Sequence, residues 1–271
     1  METPEFFQIL GYFGALAIGL VLGLLGSGGS LMAIPIFTYL FHINPITTTA
    51  YSLFVVGASA SVGAVRNFKR GFVDLRIVII FAVPCFVSVY LVRKFFMKLI
   101  PVELIEIGSY IVTKDMAIMV LLAFLMSLAA LSMLGKNQVQ HKNQKSKYST
   151  NVILVLAGAV IGVLTGVVGI GGGFLIIPAL VIYVGLPIKK AVTTSLLIIA
   201  FKSLVGFLGD MDNIEINWSF LLGFTMIAVF GIVLGSYLSY FIKGERLKKC
   251  FALFLLVMAL GIFLKELFVS E

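Results

Sequence analysis

Two glycine clusters, one lysine within an apolar run and a few hydroxyls are the residues here whose types and spacing could do chemistry. Gly26-Ser27-Gly28-Gly29-Ser30 and Gly169-Ile170-Gly171-Gly172-Gly173 each interrupt a long apolar stretch. Glycines this dense free the backbone from regular helix, and the short helix resuming after each cluster begins with N–H groups that have no intrahelical acceptor. Those groups and the helix dipole favour an anion. Lys202 is the only one of 20 basic residues well inside an apolar span, and no acidic residue sits at comparable depth. It falls about 11 residues, some 16 Å, past the start of its helix. A charge placed there is costly and marks a functional position, its natural counter-ion being a negatively charged substrate. The competing reading is that it snorkels to an interface or bonds backbone carbonyls. Ser52, Thr194 and Ser195 add hydroxyls at helix starts, although such hydroxyls often bond only the preceding turn. The expected substrate-binding set is therefore Gly26, Ser27, Gly28, Gly29, Ser30, Ser52, Gly169, Gly171, Gly172, Gly173, Thr194, Ser195 and Lys202.

Other chemistries find no support. The two histidines, His42 and His141, and the two cysteines, Cys85 and Cys250, have no metal-ligand spacing, and no Ser-His-Asp or Cys-His set shares a depth. Neither glycine cluster matches a nucleotide loop or follows a strand pattern. We expect no cofactor, no metal and no enzymatic activity.

The elements that must position these residues follow from composition. Of 271 residues, 61% are hydrophobic and 12% charged, about half the charge of an ordinary soluble domain. This is the composition of a polytopic membrane protein. Apolar runs long enough to span lie near 46–65, 75–92, 116–134, 189–208, 218–240 and 250–268. Two longer stretches, 7–41 and 151–184, contain the glycine clusters and read as broken hairpins. Their second arms, Leu31–Phe41 and Phe174–Val184, reach only about 16 Å, roughly half a bilayer. A constant shift of 143 residues aligns Gly19, Gly23, Gly26, Gly28 and Gly29 with Gly162, Gly166, Gly169, Gly171 and Gly172, and continues without a gap through Pro35 and Pro178 to Ser52 and Ser195. That is an internal repeat. The fold class is all-α: two inverted repeats, each a Gly-broken helical hairpin plus three transmembrane helices. Residues 1–135 form the first, 136–150 a polar linker and 151–271 the second. Gly19-x-x-x-Gly23 and Gly162-x-x-x-Gly166 have the spacing of close helix packing.

The net charge of +8 comes from basic residues in short loops, without aromatic interleaving, so it sets topology and does not recruit nucleic acid. Arg66, Lys69, Arg70 and Arg76, the linker lysines, and Lys243, Arg246, Lys248 and Lys249 mark the cytoplasmic side; Gly209–Asn217, with Asp210, Asp212 and Glu215, is external. Both termini are then external and the two hairpins enter from opposite faces. Arg93, Lys94, Lys98 and Lys114 run against this scheme. The N-terminal segment has no positive flank, so its first apolar run is expected to be kept. The lone Trp218 sits at a span boundary.

The pattern G-x-x-x-G-x-x-G-x-G-G-G-x-x-x-x-P at Gly162–Pro178, repeated at Gly19–Pro35 with Ser30 for the third tip glycine, resembles the sulfite exporter TauE/SafE family, as does Thr193-Thr194-Ser195-Leu196. The resemblance covers nearly the whole chain. It implies a secondary transporter in the cell (inner) membrane that exports a sulfur-containing oxyanion such as sulfite, a sulfonate or a related organic anion. Its partners are then that small anion and the lipid bilayer. An anion channel, or uptake of the same substrates, is the alternative. Ser30 opposite Gly173 and Tyr51 opposite Thr194 make the half-sites unequal.

Overall fold

A computed structural model describes residues 5–68, 73–96, 103–107, 110–134, 147–168, 173–182, 184–211 and 214–268. Ten helices account for nearly all of them: α1 (Glu5–Leu25), α2 (Gly29–Pro35, continued by a π-helical turn Ile36–Leu40), α3 (Pro45–Phe68), α4 (Leu75–Leu91, continued by a π-helical turn Val92–Phe96), α5 (Lys114–Leu134), α6 (Lys147–Val168), α7 (Gly173–Ile182), α8 (Ile188–Asp210), α9 (Trp218–Phe241) and α10 (Gly244–Phe268). A two-stranded antiparallel ribbon, β1 (Glu103–Ile107) and β2 (Tyr110–Thr113), stands between α4 and α5. Helices are the form that satisfies every backbone group within lipid. Five of them, α3, α5, α8, α9 and α10, are long and apolar enough to cross a membrane. They fall on five of the six expected runs; the run at 75–92 is covered by α4, a shorter apolar helix of 17 residues.

The helices sort by burial. In α5, Val120, Phe124, Leu128 and Leu131 recur every three or four residues as an exposed stripe, while Leu122, Met126, Ala129, Ala130 and Met133 are buried. Exposed stripes on α4, α9 and α10 (Ile79, Val83 and Val87; Met226 and Phe230; Leu253, Val257 and Leu260) present the same apolar face to lipid. The most buried of the five long enough to span are α3 and α8, although Val62 and Val65 of α3 and Phe201, Val205 and Leu208 of α8 are exposed.

The packing follows the repeat. The first helix of each half packs on the fourth helix of the other: α1 on α9, and α6 on α4. The contacts are made through the expected small residues. A Cβ on Gly23 would lie 2.6 Å from the Ser236 nitrogen, and one on Gly162 would lie 2.6 Å from the Cys85 carbonyl oxygen. Successive glycines meet successive turns of the partner, Gly19 at Ala228 and Gly23 at Ile232, Gly158 at Phe81 and Gly162 at Cys85, so both pairs run parallel. In contrast, α3 and α8 run antiparallel, with Gly57 against Leu204, Gly63 against Leu196, Leu53 against Gly206 and Phe54 against Phe207.

Candidate functional site

The first of the two broken hairpins folds back on itself. Gly14 lies against Ile36 and Gly29 against Ile18 and Leu22, so α2 retraces α1. The turn is made at Gly26 and Gly28, with φ of 71° and 95°, a region in which a side chain clashes with its own backbone. Gly28 caps α2, its carbonyl accepting from Leu31 and Met32, while the Gly26 amide donates to Leu22. At this tip Gly26, Ser27, Gly28, Gly29 and Ser30 are all buried. Of the second tip, Gly169, Gly171 and Gly172 lie outside the described residues. Gly173 opens α7, and a Cβ on it would stand 3.0 Å from Cβ of Ser27. The two hairpins therefore meet.

One face of α8 lines this meeting point. Val192 lies against Gly26, Ser195 Oγ donates to the Gly26 carbonyl at 3.2 Å, and Ile199 lies against Gly173. One turn further on come Lys202 and Ser203. Lys202 is 4% exposed, and its Nζ donates to Thr165 Oγ1 on the last turn of α6, immediately before the second tip. The Thr165 hydroxyl in turn reaches the Gly162 carbonyl at 3.3 Å. Because α8 begins at Ile188, the amine's residue sits roughly 21 Å into the helix and about 12 Å from its far end at 1.5 Å per residue. Extending the α3–α8 register puts Ser59, the repeat mate of Lys202, level with it. This level is the centre of the antiparallel pair.

The remaining candidates fall elsewhere. Ser52 is level with about Leu208 and Ser195 with about Val65, roughly 10 Å to either side of Lys202 along the helices. The structure thus separates these repeat mates instead of gathering them at one point. Their hydroxyls also differ. Ser195 shares its proton between the Val192 carbonyl at 2.8 Å and that of Gly26, whereas Ser52 Oγ, 2% exposed as a residue, has no partner among the described residues. Ser27 and Ser203 are in the same condition. Thr194 is fully buried and accepts from the Asp74 amide at 3.4 Å.

That last bond is one of a pair. Tyr51, the repeat mate of Thr194, accepts from the Asn217 amide at 2.7 Å, and Asn217 is the repeat mate of Asp74. Both partners are N-caps, Asp74 accepting from Ile77 and Asn217 from Phe220. Each half thus ties its third helix to the start of the other half's fourth. Sequence reasoning missed these clamps, although a carboxylate or amide just before an apolar run is a helix-start signal and the two are one repeat apart. It missed Thr165 and Ser203 as well; Thr165 breaks the repeat opposite Leu22, which was the available signal.

Two hairpins meeting beside a buried lysine within a multi-pass helical bundle form an arrangement suited to membrane transport. The chain belongs to the sulfite exporter TauE/SafE family, whose model matches residues 12–262. It is similar to a "Probable membrane transporter protein" of Xylella fastidiosa, 28% identical over 252 residues and covering 90% of each chain. A Haemophilus influenzae protein of the same description is 30% identical over 271 residues, 93% of this chain and 96% of its own. The Bacillus subtilis "Probable membrane transporter protein YdhB" is 27% identical, covering 81% and 85%. No solved structure matches. The protein is a multi-pass membrane transporter.

Proposed function

We propose that this transporter exports a small sulfur-containing oxyanion, sulfite or a sulfonate, by alternating access around the level of Lys202. The observation that carries the reading is a buried amine on Thr165, beside the point where Ser27 and Gly173 bring the two hairpins together. Lys202 balances the charge of the anion. The amides of the tips at 26–30 and 169–173 and the hydroxyls of Ser27 and Ser30 hold its oxygens, since irregular backbone at this depth is tolerated where it lines a cavity. Ser52 and Ser195, displaced to opposite ends, serve the path on either side.

The antiparallel α3–α8 pair and the exchange of partners between halves support an inverted repeat, related by an axis lying across these helices. In this reading the linker 136–150 is cytoplasmic, both termini are external, and the membrane is the cell (inner) membrane. Both clamps are closed here, and rocking the halves would break one at a time, opening the Thr194–Asp74 end and the Tyr51–Asn217 end in turn. The test is sulfite counterflow into proteoliposomes. We expect saturable uptake stimulated by internal sulfite, and its loss in Lys202→Met. High unitary conductance would make the protein a channel, and unchanged flux in the variant would remove Lys202 from the site.

A further inference from the structure

We propose that the elbow between α9 and α10, together with the start of α8, binds the headgroup of an anionic phospholipid whose chains lie along the exposed face of α10. The inference stands apart from the reading of Lys202 and concerns the outer surface of the bundle.

The face of α10 changes character along its length. Arg246, Lys249, Leu253, Val257 and Leu260 recur every three or four residues and are all exposed. At 3.6 residues per turn they fall within an arc of about 80°. One stripe is therefore cationic where the helix begins and aliphatic for the turns that follow. From Lys249 to Leu260 it runs about 16 Å, close to the hydrocarbon depth of one leaflet. A phospholipid carries its charge and its chains in that order. A soluble anion would have no use for the aliphatic half. Exposed Lys243 precedes the helix, its carbonyl accepting from the Leu247 amide at 3.0 Å, and Leu247, 2% exposed, seats this first turn on the bundle.

The start of α8 brings cations to the same end. A Cβ on Gly244 would lie 2.9 Å from Cγ2 of Ile188, so the elbow rests on that start. Lys189 Nζ donates to the Tyr240 carbonyl at 3.1 Å, in the last turn of α9, where carbonyls lack an intrahelical donor. The bond takes one of the amine's three donors. It also holds the amine 5.8 Å from the centroid of the Tyr240 ring. With exposed Lys190 beside it, six cations, Lys189, Lys190, Lys243, Arg246, Lys248 and Lys249, stand against Glu245 as the one acidic residue of these two segments.

The aromatic residues of the elbow set its level. Tyr237, Tyr240 and Phe241 are 53–67% exposed, and the Phe241 ring lies 5.2 Å from that of Tyr237 and 5.7 Å from that of Tyr240. Exposed tyrosines at the end of an apolar helix belong at the membrane–water boundary, which puts the six cations among the headgroups. A cluster of this size there attracts acidic lipid. A zwitterionic headgroup would leave its charge unbalanced.

The test is lipid binding to the full chain, delipidated in an uncharged detergent, followed by native mass spectrometry. Phosphatidylglycerol, phosphatidylcholine and glycerol 3-phosphate vary the charge and the chains separately. We expect phosphatidylglycerol to bind at least about tenfold more tightly than phosphatidylcholine, and glycerol 3-phosphate at equal concentration to leave it bound. Arg246→Gln combined with Lys249→Gln should weaken phosphatidylglycerol at least about tenfold, and Lys189→Gln severalfold. Lys94→Gln, at an exposed lysine bonded to Tyr90 beyond this patch, should leave its affinity unchanged. Equal affinity for the two lipids, phosphatidylglycerol binding that survives the double substitution, or an equal loss in Lys94→Gln would overturn the proposal. Displacement by glycerol 3-phosphate as effective as by lipid would overturn it too, making the elbow a site for soluble phosphates.

Discussion

Lys202 and its neighbours behave as a set in which satisfied and unsatisfied hydroxyls have different consequences. Thr165 accepts from the amine and donates to Gly162, so Thr165→Val leaves a buried ammonium one acceptor short. We expect a loss of about 1–3 kcal/mol, measured as a lowered melting temperature. Ser195 ties the first tip to α8, and Ser195→Ala should cost about 1 kcal/mol in the same assay. Ser52→Ala removes a hydroxyl with no partner among the described residues, so its melting temperature should hold or rise while its affinity for sulfite falls. If Ser52→Ala were the more destabilising of the two repeat mates, their assigned roles would be reversed. The sequence alone singled out Lys202 because a charge in an apolar run has few explanations. It could not separate Ser52 from Ser195, because identical residues at identical repeat positions differ only in what the opposite half brings to them.

At the scale of helices, the two clamps are equivalent in position and unequal in surroundings. Around Tyr51 and Asn217, Phe37, Phe41, Phe220 and Phe224 stack with ring centroids 4.6–6.4 Å apart. The repeat mates of the first three are Leu180, Val184 and Ile77, so the Thr194 end is largely aliphatic and its clamp is longer, 3.4 Å against 2.7 Å. Tyr51→Phe keeps the ring packing and removes the acceptor. We expect severalfold faster thiol labelling of a cysteine placed at the buried Thr48, in a background lacking Cys85 and Cys250, with no change in a reporter at the Thr194 end. Equal labelling with and without the Tyr51 hydroxyl would deny the bond a gating role. Close helix approach gives a sharper test of packing. Gly162→Leu would drive four extra carbons toward the α4 backbone at Cys85, costing about 3 kcal/mol or more, and should abolish monodisperse protein on size exclusion. Glycine spacing announced these contacts, but the partner helix was not legible, since nothing local to α1 says that it packs on α9.

The whole molecule pairs helices across its two halves, α1 with α9, α6 with α4 and α3 with α8, and the gapless shift of 143 residues is legible in the sequence alone. The seat of the first tip was not legible. Gly26 lies against Val192, close to the start of α8, a contact with the opposite half that no residue of α1 or α2 announces. The β1–β2 ribbon was equally hidden in a stretch of mixed charge whose apolar residues gave no long period. What makes the assembly a carrier, in this account, is that the tips touch at Ser27 and Gly173 beside the buried amine. Cysteines at those two positions, oxidised in the otherwise cysteine-free protein and read by peptide mass spectrometry together with sulfite flux, test this most directly. The account predicts a disulfide that halts transport and restores it on reduction. Two free thiols after oxidation, or a cross-linked protein that transports at full rate, would contradict it.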